Sequence, residues 1–474
     1  MPARTERLAA VVVAVAALAV YAGTLTAGYV WDDEAIVVGE QRGLAAVLLS
    51  PDEVAPYYRP LARASFLLDR DVLGLDPRGS HAANVLLHAG CALLLFLLAR
   101  GLFRAEAPAL MAALLLAVHP IHAEAVAFVT ARNNLLALFF CLGSLLLFRR
   151  GRDVLSAGAT FLALCSKEQG AVAIPLITAC ALFPRAFTGE EVPRSWRRLV
   201  PQGMALAAYL VLRTVALQGA PAMDGFGAGI LSSASGIATF LRLALWPADL
   251  TIFHPQPVPS WGDLIPWLAL GGLVGWLLRR PSPAARFGAL WLLCGLLPLT
   301  NLIPIPSATV AERYVYAVLP GLWILVAEAL SRVPKRIAWP VAAIVLTACS
   351  ARTLSRTRDW KDDVTLARSA VAVDRGSAPA RYNLGVALKD AGDLPGAERE
   401  WREALRLRPD DAQTLTQLGT AAAVRGDLVA AEALFRRALA IRPDLTMAAQ
   451  NLAVICERTG RVDEARRLRA GAGP

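Results

Sequence analysis

Two adjacent carboxylates, Asp32 and Asp33, stand in the fragment YVWDDEAIVV, just past an uncharged apolar stretch over 8–30. Carboxylates pressed against the end of a membrane segment carry a desolvation cost, usually borne for chemistry or ion binding. One such group can take a proton from a hydroxyl, and the pair could share a divalent metal. Four cations fall at the same expected depth: Arg59, Arg132, Lys167 and Arg313. Each has a polar neighbour or break beside it, among them Asn133 and Asn134, Glu168 and Gln169, and Glu312. Cations on the non-cytoplasmic side run against the usual orientation bias, and an incoming lipid phosphate is one reason for them. Internal pairing, such as Lys167 with Glu168 or Asp32 with Arg313, is the other. The five histidines (His81, His88, His119, His122 and His254) lie at that level or just beneath it. His81, Asn84 and His88 share one helix face. The string HPIHAE brings His119, His122 and Glu124 together, a spacing open to metal binding. No third ligand is set by that spacing, so a hydrogen-bonded network shaping a cavity is the simpler reading.

The elements that must position these groups are membrane helices. The chain has 474 residues, 56% of them hydrophobic, and ten apolar runs follow the first: about 83–103, 107–119, 133–149, 154–165, 171–183, 199–217, 262–280, 285–302, 314–331 and 337–350. Several fall short of the roughly 20 residues a perpendicular span needs, so polar neighbours must complete them inside the bundle. The net charge of +10 is spread over short connections rather than a nucleic-acid-type patch. Arg100 and Arg104, Arg149 to Arg152, the arginines of 185–198, Arg279, Arg280 and Arg286, and Arg332 to Arg336 fall in alternate connections. With a cytoplasmic N-terminus and about eleven spans, all of these land on the cytoplasmic side and the C-terminal tail lands opposite. Residues 226–247 would break that parity and are expected to re-enter or lie in the interface. The first segment is too long for a signal peptide and has no cleavage site before Asp32, so a retained span is expected. The seven cysteines have no metal-ligand spacing. The Ala, Gly, Pro and Arg richness suggests a GC-rich bacterial genome.

The connection 31–82 is then extracytoplasmic, with nine acidic residues against five arginines. In it Tyr58, Leu61, Ser65, Leu68 and Val72 form a helical stripe expected to lie on the membrane surface. The tail repeats every 34 residues: Leu384, Leu418 and Leu452; Gly392, Gly426 and Gly460; Ala397, Ala431 and Ala465; Trp401 with Phe435; Pro409 with Pro443. This is the helix–turn–helix signature of tetratricopeptide repeats, with 363–374 as half of a degenerate unit. The expected fold class is all-α: a multi-span helical membrane domain over 1–352, a linker over 353–375, and a solenoid of about three repeats over 376–474.

The chain resembles the transmembrane and tetratricopeptide-repeat O-mannosyltransferases of GT-C architecture. The resemblance is carried by VWDDEAIV, YYRPLARASFLLDRDVLGLDPRGSHAANVLLH, AVHPIHAEAVAFVTARNNLLA, CSKEQGA, NLIPIPSATVAERYVY and DWKDDVTLARSAVAVDRGSAPARYNLGVALKDAG. It implies a polyprenyl-phosphate-linked sugar donor, mannose by the family's habit, and transfer to Ser or Thr of a protein held by the repeats. It implies Asp32 as base, with Asp33 orienting it or the acceptor. Arg313, Arg132, Lys167 and Arg59 would face the donor phosphate. Glu34, His81, His88, His119, His122, Glu124, Glu168 and Glu312 would line the cavity. Transfer would be a single inverting displacement in a bacterial inner membrane, with the repeats periplasmic. No organic cofactor is implied, and a divalent metal stays open. Two other readings remain: a GT-C enzyme acting on a lipid or glycan, and a non-catalytic membrane scaffold that docks partners through its repeats.

Overall fold

The computed structural model describes residues 2–39, 42–51, 57–74, 76–190, 194–218, 230–255, 259–279, 281–300 and 310–471. Arg280, residues 226–229 and most of the polar stretch 304–312 lie outside the described residues. The contacts divide the chain into two compact units, Met1–Asp362 and Asp363–Pro474.

The first unit is helical because an apolar segment in lipid must satisfy its backbone groups internally. Six described helices are long and apolar enough to cross a membrane: Arg4–Thr26, Pro77–Phe103, Val129–Arg149, Trp196–Ala216, Trp261–Leu278 and Lys335–Arg358. A seventh arises if Glu106–Val118 and Pro120–Ala127, bent by 48°, make one broken span. The other expected runs form shorter apolar helices, Asp153–Ser166, Glu168–Leu182, Pro283–Leu299 and Leu319–Ser331. The stretch expected to re-enter contains Ala234–Leu245, too short at about 1.5 Å per residue to cross alone.

Polar contacts and close approach hold this unit together, since lipid supplies no hydrophobic contrast. The Ser144 and Thr160 hydroxyls lie 2.7 Å apart between neighbouring helices, and Gln202 donates to Ser156 Oγ at 2.8 Å. Gly321 lets two helices touch: a Cβ there would stand 2.7 Å from the Leu292 nitrogen. The kink after Val118 and the break at Lys167 place residues 119–132 and 167–172 among buried polar groups.

The helix Pro60–Leu73 forms, and Leu68 and Val72 of the stripe expected to meet the membrane surface stay on its outer side. Ala62, Arg63, Phe66, Leu67 and Asp69 are buried, whereas Leu68 and Val72 of that stripe are 58% and 68% exposed. Arg63 and Asp69 turn inward because buried polar partners await them, which leaves the apolar stripe outermost.

In the second unit, helix Asp363–Val373 precedes three hairpins that begin at Ala378, Ala412 and Thr446. Ala397, Ala431 and Ala465 sit at the helix crossings, and Trp401 and Phe435 fill the space behind them with no exposed surface. Gly392, Gly426 and Gly460 recur every 34 residues because each turn needs a left-handed backbone, with φ of 86°, 84° and 80°. Replacing Trp401 by Ala removes a fully buried indole and should destabilise this unit by about 3–5 kcal/mol. Hydrogen exchange across 378–424 should quicken accordingly, and unchanged protection would show that Trp401 does not hold the stack.

Candidate functional site

The site is built on a clip between two loops. The Asp33 carboxylate is fully buried and accepts backbone N–H groups from Val30 at 3.3 Å, Val129 at 3.3 Å and Thr130 at 2.8 Å. Burial pushes the Asp33 carboxyl up to about 7, while these three donors favour its ionised form. Next to it, Trp31 has φ 55°, an unusual conformation for a bulky residue. Its ring stacks on Phe128 at 5.4 Å and meets Phe253 edge-on at 5.8 Å. The result is a turn that points its neighbours in opposite directions: Asp33 inward, Asp32 out to an exposed position. The surrounding protein raises the Asp32 carboxyl above its ordinary range, and the Arg313 charge acts against that rise. Glu34, also exposed, opens the following π-helical turn Glu34–Val38.

Three of the four expected cations converge. Arg313 pairs with the buried carboxylate of Glu124, which also accepts the Arg313 backbone N–H at 3.2 Å. Its guanidinium lies over the rings of Trp31 (5.6 Å), Phe128 (5.8 Å) and Tyr314 (5.1 Å). Arg59 pairs with Glu168 at 3.0 Å and covers the Tyr57 ring at 4.1 Å. Lys167 donates to Asn134 Oδ1 at 2.6 Å, with its Nζ 5.0 Å from the Tyr314 ring centre. The charges of Arg59, Arg313, Glu168 and Glu124 all act on Lys167. The pairing alternative is thus realised with other partners than Lys167–Glu168 and Asp32–Arg313.

Arg132 does not join them. Its five N–H groups go to Asn84 at 2.7 Å, Asp69 at 2.9 and 2.7 Å, Ser65 at 3.3 Å and Ser80 at 3.1 Å, with only 2% of its side chain exposed. A guanidinium so committed has no donor left for a phosphate, so Arg132 locks the helix Pro60–Leu73 onto the bundle. Asp69, its main partner, was not singled out in the sequence; neither were the aromatic rings of Trp31, Phe128, Tyr57 and Tyr314. An acidic residue on the inward face of a surface helix is the signal that could have found Asp69.

The histidines make a packed network rather than a reactive cluster. His81 meets the Gly28 carbonyl at 3.2 Å, and His88 bridges the Tyr316 hydroxyl at 2.7 Å and the Ala117 carbonyl at 3.1 Å. His122 accepts from the Trp323 indole at 3.2 Å, and His119 packs on the same indole with ring centres 4.8 Å apart. Glu312 is buried with His254 at 3.2 Å and takes the Thr251 N–H at 2.6 Å. These groups bind loops together behind the cation cluster. Among the described residues, no group of three His, Cys, Asp or Glu stands close enough to hold a metal ion.

An integral membrane body, a loop-borne carboxylate facing clustered cations, and a tetratricopeptide solenoid together define the class. Curated relatives agree with it. The mouse (Mus musculus) protein O-mannosyl-transferase TMTC3 is 25% identical over 464 residues, covering 83% of this chain and 50% of its own. The Caenorhabditis elegans protein O-mannosyl-transferase F38B6.6 is 27% identical over 385 residues, with 74% and 54% covered. Mouse TMTC4 is 28% identical over 425 residues, with 73% and 57% covered. The chain is therefore a relative of the TMTC family, as its motifs implied, and it spans about half the length of the curated relatives it matches. No family model matches. The crystal structure of MamA aligns with 34% of this chain and 90% of its own at 20% identity, with a TM-score of 0.23.

The two aspartates should separate by stability. Asp33→Asn turns an acceptor into a donor facing backbone N–H groups, costing at least about 1–3 kcal/mol. The exposed Asp32→Asn should stay within about 0.5 kcal/mol of the parent. Thermal unfolding in detergent checks this, and equal stability of the two variants would deny Asp33 its anchoring role.

Proposed function

We propose that this chain is a membrane glycosyltransferase that moves mannose from a polyprenyl-phosphate donor to Ser or Thr hydroxyls of extracytoplasmic proteins. The carrying observation is the exposed Asp32 carboxylate, held on an anchored turn beside Arg313, with Lys167 and Arg59 in the same cluster. The relatives' names, protein O-mannosyl-transferase, support the sugar and the class of acceptor.

An alcohol is a weak nucleophile, and a carboxylate whose proton affinity is raised by partial burial is a better base for it than an ordinary one. Asp32 takes the hydroxyl proton as the oxygen attacks the anomeric carbon. The new bond is C1–O of the acceptor, and the bond broken is C1–O of the phosphate. Attack from the face opposite the leaving group inverts the anomeric configuration. The polyprenyl phosphate leaves as an anion and needs no acid, only donors fixed in place beforehand. Arg313 keeps N–H groups beyond those on Glu124, and its planar fork suits a phosphate oxygen pair. Glu124 and Glu168 hold Arg313 and Arg59 in register, and Asp33 holds the turn that carries the base. With the N-terminus in the cytoplasm, site and repeats share the extracytoplasmic side. The repeats present no cluster of catalytic residue types, so their part is to hold the acceptor.

Purified protein given polyprenyl-phosphate mannose and a Ser/Thr peptide tests this. Asp32→Asn should lower transfer by about 10²–10⁴-fold while donor binding persists. Arg313→Gln should weaken donor use more than Arg313→Lys, which keeps the charge without the fork. Parent-like transfer by Asp32→Asn would remove the mechanism.

A further inference from the structure

Each carboxylate that acts on Lys167 already has a guanidinium partner of its own. Arg59 is matched by Glu168 at 3.0 Å and Arg313 by Glu124, so two guanidinium groups and two carboxylates close on each other. Lys167 has 5% of its surface exposed, and its one hydrogen-bond partner among the described residues is the neutral Asn134 Oδ1 at 2.6 Å. Asn134 cannot turn to offer anything else: its amide nitrogen is spent on the Ala131 carbonyl at 3.0 Å and Asn133 Oδ1 at 2.7 Å. The remaining neighbour is the Tyr314 ring face.

We propose that Lys167 is an uncharged amine in the donor-free enzyme and takes up one proton from solvent as the donor phosphate binds beside it. The inference rests on the reading of this cluster as the donor-phosphate site. A buried ammonium without an anion of its own, facing Arg59 and Arg313, is unfavourable. Burial lowers its proton affinity well below the ordinary lysine range; the two guanidinium charges add to this and the two carboxylates oppose it. A neutral amine still donates one N–H to Asn134. An arriving phosphodiester supplies the missing negative charge. The amine becomes R–NH3+ by adding a solvent proton to its lone pair, and the ammonium then donates to a phosphate oxygen. Lysine suits this duty and arginine does not, because a guanidinium stays charged at every working pH.

Two consequences follow from linkage. The donor binds one proton more tightly than the empty site does, so its affinity falls as pH rises above the amine's proton affinity in the empty site. The loss approaches tenfold per pH unit until the proton affinity in the complex is reached. The site also discriminates against uncharged lipid-linked sugars, because without an anion the ammonium does not form.

Calorimetric titration of the full-length protein in detergent with a short-chain polyprenyl phosphomannose tests the inference. That probe is a phosphodiester, so it brings no ionisation of its own near neutrality. Repeating the titration in buffers of different ionisation enthalpy counts protons. The expected result is uptake of about one proton per donor bound. Lys167→Arg should bind with uptake near zero, and Lys167→Met should bind more weakly, also without uptake. Wild-type binding with no proton uptake overturns the inference and leaves the donor-site reading intact. Undiminished uptake in both variants also overturns it, and moves the proton to another group. Absence of wild-type binding contradicts the donor-site reading itself, and this inference with it.

Discussion

One buried carboxylate sets the geometry of everything at the site. Asp33 draws backbone N–H groups from its own turn and from residues 129–130 onto one pair of oxygens. A buried carboxylate left without such donors is costly, so the two segments cannot drift apart without exposing or stranding it. Because the turn passes through Trp31 in a left-handed conformation, fixing Asp33 also fixes where Asp32 points. The acidic pair is therefore two different groups: Asp33 is buried and holds the turn, and Asp32 is exposed.

The same economy governs the cations. In a low-dielectric bundle each positive charge needs a counter-charge or must give up its proton. Arg132 meets Asp69 and serves the architecture; Arg313 and Arg59 meet Glu124 and Glu168 and keep a face toward the aromatic rings. Lys167 alone in this group is met by a neutral amide. Two carboxylate-paired arginines thus flank one lysine, and the exposed carboxylate of Asp32 lies beside Arg313.

Much of this was legible in the sequence, and the gaps have physical causes. The repeats were plain because each 34-residue unit reuses the same constraints: a left-handed turn at Gly392, a small crossing residue at Ala397, a large filler at Trp401. The apolar runs located the helices, since hydrocarbon tolerates little else. Orientation bias singled out Arg59, Lys167 and Arg313, and these three gather. Pairing did not follow from it, because partners lie far apart along the chain: Asp69 and Arg132 by 63 residues, Arg59 and Glu168 by 109, Glu124 and Arg313 by 189. No local pattern encodes such distances. The inward face of Pro60–Leu73 was not legible for the same reason: buried partners draw Arg63 and Asp69 inside, while Leu68 and Val72 of the stripe stay outside. Likewise the sequence offered Asp33 as an orienting group and Arg132 as a phosphate contact, and hydrogen bonds that each makes here go to distant parts of the chain itself.

Mass spectrometry of extracytoplasmic glycopeptides tests the central claim most directly. Cells lacking this protein should lose hexose from a set of Ser and Thr residues. The wild-type chain should restore it, and a chain carrying Asp32→Asn, inserted at the same level, should not. An identical glycopeptide profile with and without the protein, or full restoration by Asp32→Asn, would contradict the account.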